Sequence, residues 1–269
     1  MKRALKSGFR AVALPARTAA GRIAAAGPRP PRFAGAYATR DAALSAIPQA
    51  ERGGYHDPSA VEVSFDAMAR VAPWDYPVLF WLDRLAPPNG AVLDAGGHFG
   101  TKAIAFARHV PSLAGPEGRW TVWDTPAVIS AARAAREGGR VPQHLRFVDA
   151  LSEVGPVDIM LASGLLQYVD RPLTDIVEAI GPRPPHIVLS KVATRDGPEV
   201  FTLERIGPVR VPYRIRERAA FEAELDALGY TVLDRWEAPE LSHVIPTHPA
   251  LGPSVSRGYA LALRDGAAS

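Results

Sequence analysis

The chain has 269 residues, 47% of them hydrophobic, and carries a net charge of +3. That length and apolar share suit one large core, or a core with a small appendage. With no cysteine, disulfides, thiolate metal sites and thiol nucleophiles are excluded. The seven histidines (His56, His98, His109, His144, His186, His243 and His248) lack the spacing of a zinc site.

Charge is unevenly spread. Residues 1–40 hold nine of the 31 Lys/Arg and no acid, so the other 22 face all 28 Asp/Glu, a balance of −6. The basic character thus belongs largely to the leader, and a nucleic-acid partner is not expected. Residues 1–32 read as an Arg-, Ala- and Pro-rich disordered leader, with weak attachment to an anionic surface as the alternative. No run reaches the roughly 18–20 apolar residues of a membrane span, and a cytoplasmic protein is expected. Residues 33–90 read as an N-terminal helical arm or lid. Within it Val78, Leu79, Trp81, Leu82 and Leu85 fall at helical spacing before Pro87, Pro88 and Gly90.

From residue 91 to 265 strands and helices alternate. Strand AVLDA leads to helix TKAIAFARHV, and strand RWTVWD to helix PAVISAARAAREGG. Strands LRFVDA and VDIMLAS, helix LTDIVEAI and strand HIVLSKV follow. A long insertion then precedes helix ERAAFEAELDALG, and strands YTVLDRWE and GYALALR close the chain. This pattern predicts an α/β fold, a doubly wound, Rossmann-like, mostly parallel sheet of seven strands. Its last two strands should form an antiparallel C-terminal hairpin, giving the class I methyltransferase architecture.

In such a sheet, ligands lie outside the carboxyl ends of the strands, which directs attention to VLDAGGHFG. A dinucleotide fingerprint would need glycine at Ala95. The S-adenosylmethionine (SAM) pattern, D/E-x-G-x-G-x-G, fits Asp94, Gly96 and Gly100, with His98 at the middle glycine and Gly97 beside it. Asp124 ends the second strand, where an acid can accept hydrogen bonds from ribose hydroxyls. Asp149 ends the third, where an acid can accept from the adenine amino group. Asp94 is placed for the methionine ammonium, and Ser163, with Gly164, for close approach of backbone to cofactor. Any one of these acids alone could be a helix cap; three at successive strand ends favour the ligand.

The chain also resembles a bacterial family of class I SAM-dependent methyltransferases, often found in polysaccharide loci. The resemblance rests on FAGAY (33–37), GYH (54–56), PVLFWLDRL (77–85), VLDAGGHFG (92–100) and SGLLQYV (163–169). It implies a class I SAM-dependent enzyme; the chain as a whole reads as a methyltransferase acting on a small molecule or saccharide. His56 stands where an acid is common and Leu165 where a small serine is usual.

Gln167 and Tyr168 are the candidates to face the substrate, with Tyr37 completing an aromatic wall around the reactive methyl. His98 could orient the methionine carboxylate or act as a base. Tyr55 and Trp81 are further candidates for a lid. Tyr213, Arg210, Arg214 and Arg216 could meet an anionic substrate or form a solvated face. Three rival functions stay open: SAM-consuming alkyl transfer or cyclisation that releases methylthioadenosine, an NAD-dependent oxidoreductase, and a non-catalytic partner protein.

Overall fold

The computed structural model describes residues 2–52 and 65–265; Tyr55, His56 and the GYH stretch lie outside them. The leader departs from the sequence expectation. Residues Lys2–Ala26 form a helix, α1, in spite of Pro15, because alanine, the best helix former, dominates the segment. Gly21 is buried against the backbone of Pro246 and Thr247, where no side chain would fit. The arm that follows is not wholly helical. FAGAY is strand β1 (Phe33–Tyr37), followed by the short helices α2 (Arg40–Ser45) and α3 (Phe65–Met68) and the longer α4 (Tyr76–Leu85).

The alternating region supplies β2 (Ala91–Ala95), α5 (Thr101–Phe106), α6 (Pro111–Ala114), β3 (Arg119–Trp123), α7 (Pro126–Glu137) and β4 (Arg146–Val148). Next come β5 (Ile159–Ser163), α8 (Leu173–Ile180) and β6 (His186–Arg195). The presumed insertion is the strand pair β7 (Val200–Ile206) and β8 (Val209–Glu217), leading to α9 (Arg218–Ala227). The chain closes with β9 (Tyr230–Glu237), the short β10 (His243–Val244) and β11 (Pro253–Leu263).

The sheet has eleven strands where seven were expected; β1, β7, β8 and β10 are the additions. Strands β4, β3, β2, β5 and β6 lie side by side and parallel. Beyond β6, strand β11 is antiparallel to both β6 and β9. The core follows from a period of two along these strands. Leu93, Ala95, Met160, Ala162, Ile187 and Leu189 pack towards α8 and α9. Val92, Ile159, Leu161 and Val188 pack on the other face with α4, α5 and α7. Helix α8 shows the matching stripe, burying Leu173, Ile176, Val177 and Ile180.

Strand β6 outruns β5. Its pairing with β5 ends at Ser190, and its protruding Thr194 and Arg195 pair instead with Arg216 and Glu217 of β8. This carries the antiparallel β8–β7–β1 meander beyond the carboxyl end of β5. No described helix is long and apolar enough to cross a membrane.

Candidate functional site

After β2 the backbone turns left-handed at Gly96, His98 and Gly100, with φ of +72°, +57° and +72°. His98 thus adopts the conformation of the glycine it replaces, at a cost of about 1–2 kcal/mol for an L-residue. Its neighbours hold it there. The His98 N–H donates to Asp124 Oδ2 at 3.0 Å, and its ring stacks on Phe99 with centroids 4.6 Å apart. Asp124 Oδ1 accepts from the Thr125 N–H at 2.7 Å. One strand-end carboxylate therefore fastens the glycine turn to the start of α7.

Asp94 lies beneath this turn. It is 1% exposed, accepts from the Trp120 indole at 3.2 Å, and packs so closely that a Cβ on Gly97 would fall 2.5 Å from its Cγ. Burial pushes its pKa up to about 7, opposed by the Trp120 hydrogen bond and the Lys102 cation. Lys102 Nζ itself donates to both oxygens of the buried Asp75, at 2.8 and 2.7 Å.

A cavity of about 290 Å³ opens over the turn. Gly96, His98, Asp124, Thr125, Ser163, Gly164 and Tyr168 line it, together with Leu165 and with Val211 and Pro212 of β8. Leu165 covers Gly96, since a Cβ there would lie 2.7 Å from Leu165 Cδ1. A second cavity, of about 410 Å³, adjoins the first and shares Met68, Ser163, Gly164 and Tyr168 with it. Gln167 lines only this second cavity, with Oε1 buried and without a partner among the described residues. Tyr168 stands between the two; its hydroxyl donates to Glu204 Oε2 at 2.6 Å.

Four sequence expectations change. Tyr37 is apart from Gln167 and Tyr168, in a separate hollow with Ala34 and Leu203. The cause is a bulge: Ala34 pairs with Leu203 but Tyr37 with Phe201, so one extra residue on β1 reverses the alternation. Phe33, not Tyr37, therefore lines the second cavity. Asp149 does not line the first cavity; its carboxylate faces Arg133 at 3.7 Å and its carbonyl accepts from the Trp123 indole. Trp81 does not serve as a lid, because its indole donates to Asp234 at 2.9 Å. The three arginines have protein partners: Arg210 with Glu51, Arg214 with Glu199 at 2.7 Å, and Arg216 with the Leu166 carbonyl at 2.5 Å. Tyr213 is buried, edge-on to Phe33, Tyr168 and His243.

Sequence reasoning passed over Trp74, Lys191, Glu204 and His243. Trp74, Lys191 and His243 line the second cavity. Glu204 joins β7 to the start of β1 through Arg32 and to the loop after β5 through Tyr168. A lysine within the apolar run HIVLSKVA was the visible signal for Lys191.

No protein-family model and no curated protein matches the chain. Among solved structures it is similar to Burkholderia thailandensis 1,6-didemethyltoxoflavin-N1-methyltransferase, with bound 1,6-didemethyltoxoflavin and S-adenosylhomocysteine. That match has 20% identity and a TM-score of 0.46, and covers 81% of this chain and 94% of the other. The glycopeptide N-methyltransferase MtfA, complexed with S-adenosylhomocysteine, matches at 13% identity and a TM-score of 0.49, covering 79% of this chain and all of that one. Mitomycin 7-O-methyltransferase MmcR matches at 18% identity and a TM-score of 0.46; the match covers 77% of this chain but 58% of that enzyme. At these levels no residue's role passes from those enzymes to this chain.

Proposed function

We propose that the chain is a class I SAM-dependent methyltransferase acting on a small molecule or saccharide. The observation that carries this reading is the left-handed turn through Gly96, His98 and Gly100, tied to Asp124 and opening on a cavity at the carboxyl ends of β2 and β5. The residues fit the cofactor. Gly96 lines the cavity in a left-handed conformation, and Leu165 of the cavity wall packs where its side chain would lie. Asp124 lines the cavity at the end of β3, and a carboxylate there can accept from a ribose diol. Ser163 Oγ, at the border of the two cavities, has no partner among the described residues. The strand order β4-β3-β2-β5-β6-β11-β9 agrees with the class I arrangement.

When bound, SAM supplies an electrophilic methyl group on a sulfonium. The chain's own task is to bind and align. Gly96 and His98 form the floor, Asp124 would hold the ribose, and Gln167 and Tyr168 border the place where an acceptor must enter. Asp94 acts from beneath the turn, where an arriving ammonium would favour its ionised form. Calorimetric titration with SAM, S-adenosylhomocysteine and NAD tests the proposal. Saturable binding of the first two and none of NAD is expected. Mass spectrometry of the turnover product should then show S-adenosylhomocysteine; methylthioadenosine would mark a cyclising enzyme instead. Absence of S-adenosylhomocysteine binding sinks the reading.

A further inference from the structure

The second cavity contains chemistry that cofactor binding does not use. Four of its lining residues, drawn from separate segments, each bury a polar atom with no partner among the described residues: Trp74 Nε1, Gln167 Oε1, His243 Nε2 and Ser256 Oγ. One is a pure donor, one a pure acceptor, one a hydroxyl and one an imidazole nitrogen. None carries a fixed charge, and burial pushes His243 down to about 4, so its ring is neutral. Phe33, Trp74 and Tyr213 add aromatic walls. A hydroxyl both donates and accepts, so a neutral ring bearing several hydroxyls could satisfy this mixed set while its apolar faces meet the aromatics. An anion would find no free cation among those four.

Lys191 enters the same cavity at the border it shares with the first. Its alkyl chain passes Gly164, where a Cβ would lie 3.5 Å from Lys191 Cδ. The backbone is shaped to put it there. Between the pairs Leu189↔Tyr259 and Val192↔Arg257, β6 carries one residue more than β11, and within that bulge Lys191 has φ of +60°. A non-glycine residue held left-handed inside a strand is strained, and such bulges re-aim side chains beside active sites.

We propose that Lys191 is the catalytic proton acceptor for a neutral, polyhydroxylated acceptor held in this second cavity by Trp74, Gln167, His243 and Ser256. The inference rests on the methyl-transfer reading. As the acceptor oxygen bonds to the methyl carbon, the carbon–sulfur bond breaks and its electron pair stays on sulfur. The hydroxyl proton passes to neutral Lys191 Nζ, so the sulfonium's positive charge reappears on the ammonium. Burial, foremost, and the neighbouring Lys102 cation bring Lys191 down to about 8, against the opposing pull of Asp75 and Asp94. Arg32 and Glu240 also line the cavity; Arg32 is engaged with Glu204.

The test compares full-length wild type, K191M and K191R by three readouts. Competitive labelling with acetic anhydride across pH, read by mass spectrometry, should give Lys191 a midpoint about two units below that of a short lysine reference peptide added to the same reaction. S-adenosylhomocysteine affinity should change less than about threefold in K191M. Turnover should be measured with SAM and a panel of neutral hexosides and inositol, against glucose 6-phosphate. It should favour the neutral acceptors, and kcat should fall at least 100-fold in K191M, with loss of the wild-type rise in kcat/KM near pH 8. Labelling of Lys191 in step with the reference peptide overturns the proposal. So does a K191M protein keeping a tenth of wild-type turnover, or preference for the phosphorylated sugar. Failure of wild type to bind S-adenosylhomocysteine would instead defeat the methyl-transfer reading beneath it.

Discussion

Asp124 shows how one side chain can serve fold and site together. Its two oxygens take the N–H groups of His98 and Thr125, so the carboxylate both secures a strained turn and forms a wall of the cavity. Asp124→Ala is therefore expected to have two effects. Loss of hydrogen bonds to a charged acceptor should weaken S-adenosylhomocysteine binding by about 1.5–3 kcal/mol, measured calorimetrically. Freeing the His98 N–H should also lower the Tm by several degrees. Unchanged affinity in a folded variant would move the ribose elsewhere. The sequence shows Asp124 and the glycine spacing plainly, because strand ends and turns leave local marks. It does not show that Asp149 would be turned towards Arg133, since that pairing depends on how α7 packs.

At the level of elements, the β1–β7–β8 meander is what sequence periodicity concealed. The run VFTLERIGPVRVPYRIRE mixes charges with apolar residues and holds Pro212, which argues against a buried strand. Yet Glu204 is 1% exposed and Arg216 is 3% exposed, because each finds its partners only in the assembled fold. FAGAY is too short for its alternation to register, and its bulge breaks the pattern that remains. Two predictions belong here. Tyr168→Phe removes the hydroxyl that donates to Glu204 and should cost about 1.5–3 kcal/mol in denaturant unfolding, since the acceptor is a buried charge. The aromatic wall stays, so S-adenosylhomocysteine affinity should hold within about twofold; a stability unchanged would mean that Arg32 alone suffices for Glu204. Helix α1, by contrast, docks through small residues. Gly21 is buried against Pro246, while Leu14 and Ile23 are exposed. Deleting residues 1–30 spares Arg32 and, among the described side chains, removes little apolar contact, so the loss should stay below about 2 kcal/mol. A fall in Tm beyond about 10 °C would show that the helix is integral to the core.

The two-faced core is the feature of the whole molecule most legible in the chain. Strands that alternate Val92 with Leu93, or Leu161 with Ala162, between two helical layers leave polar groups only at their carboxyl ends. That architecture also forces charge together. Asp75, Asp94, Lys102 and Lys191 come from four separate segments, yet each of the other three perturbs Lys191. No short-range pattern announces such a cluster, since its members are joined only by the folded sheet.

Its consequence for stability can be worked out by sign. Asp94 is raised from 3.8 to about 7, so the folded state favours its protonated form. Its contribution is most favourable below pH 4, is lost progressively between about pH 4 and 7, and is constant above that. Lys191 is lowered from 10.5 to about 8, so its penalty is full below pH 8 and is relieved as the pH rises towards 10.5. Near pH 7.5 both groups therefore oppose folding. Asp94→Asn keeps a carbonyl oxygen for the Trp120 indole but removes the titrating acid. The Tm of D94N minus that of wild type should be small at pH 4.5, grow as the pH rises to about 7, and level off beyond it. Thermal unfolding followed from pH 4.5 to 8.5 gives the whole curve. A difference that shrinks with rising pH would mean that Asp94 is stabilised as a carboxylate, with Lys102 and Lys191 outweighing its burial.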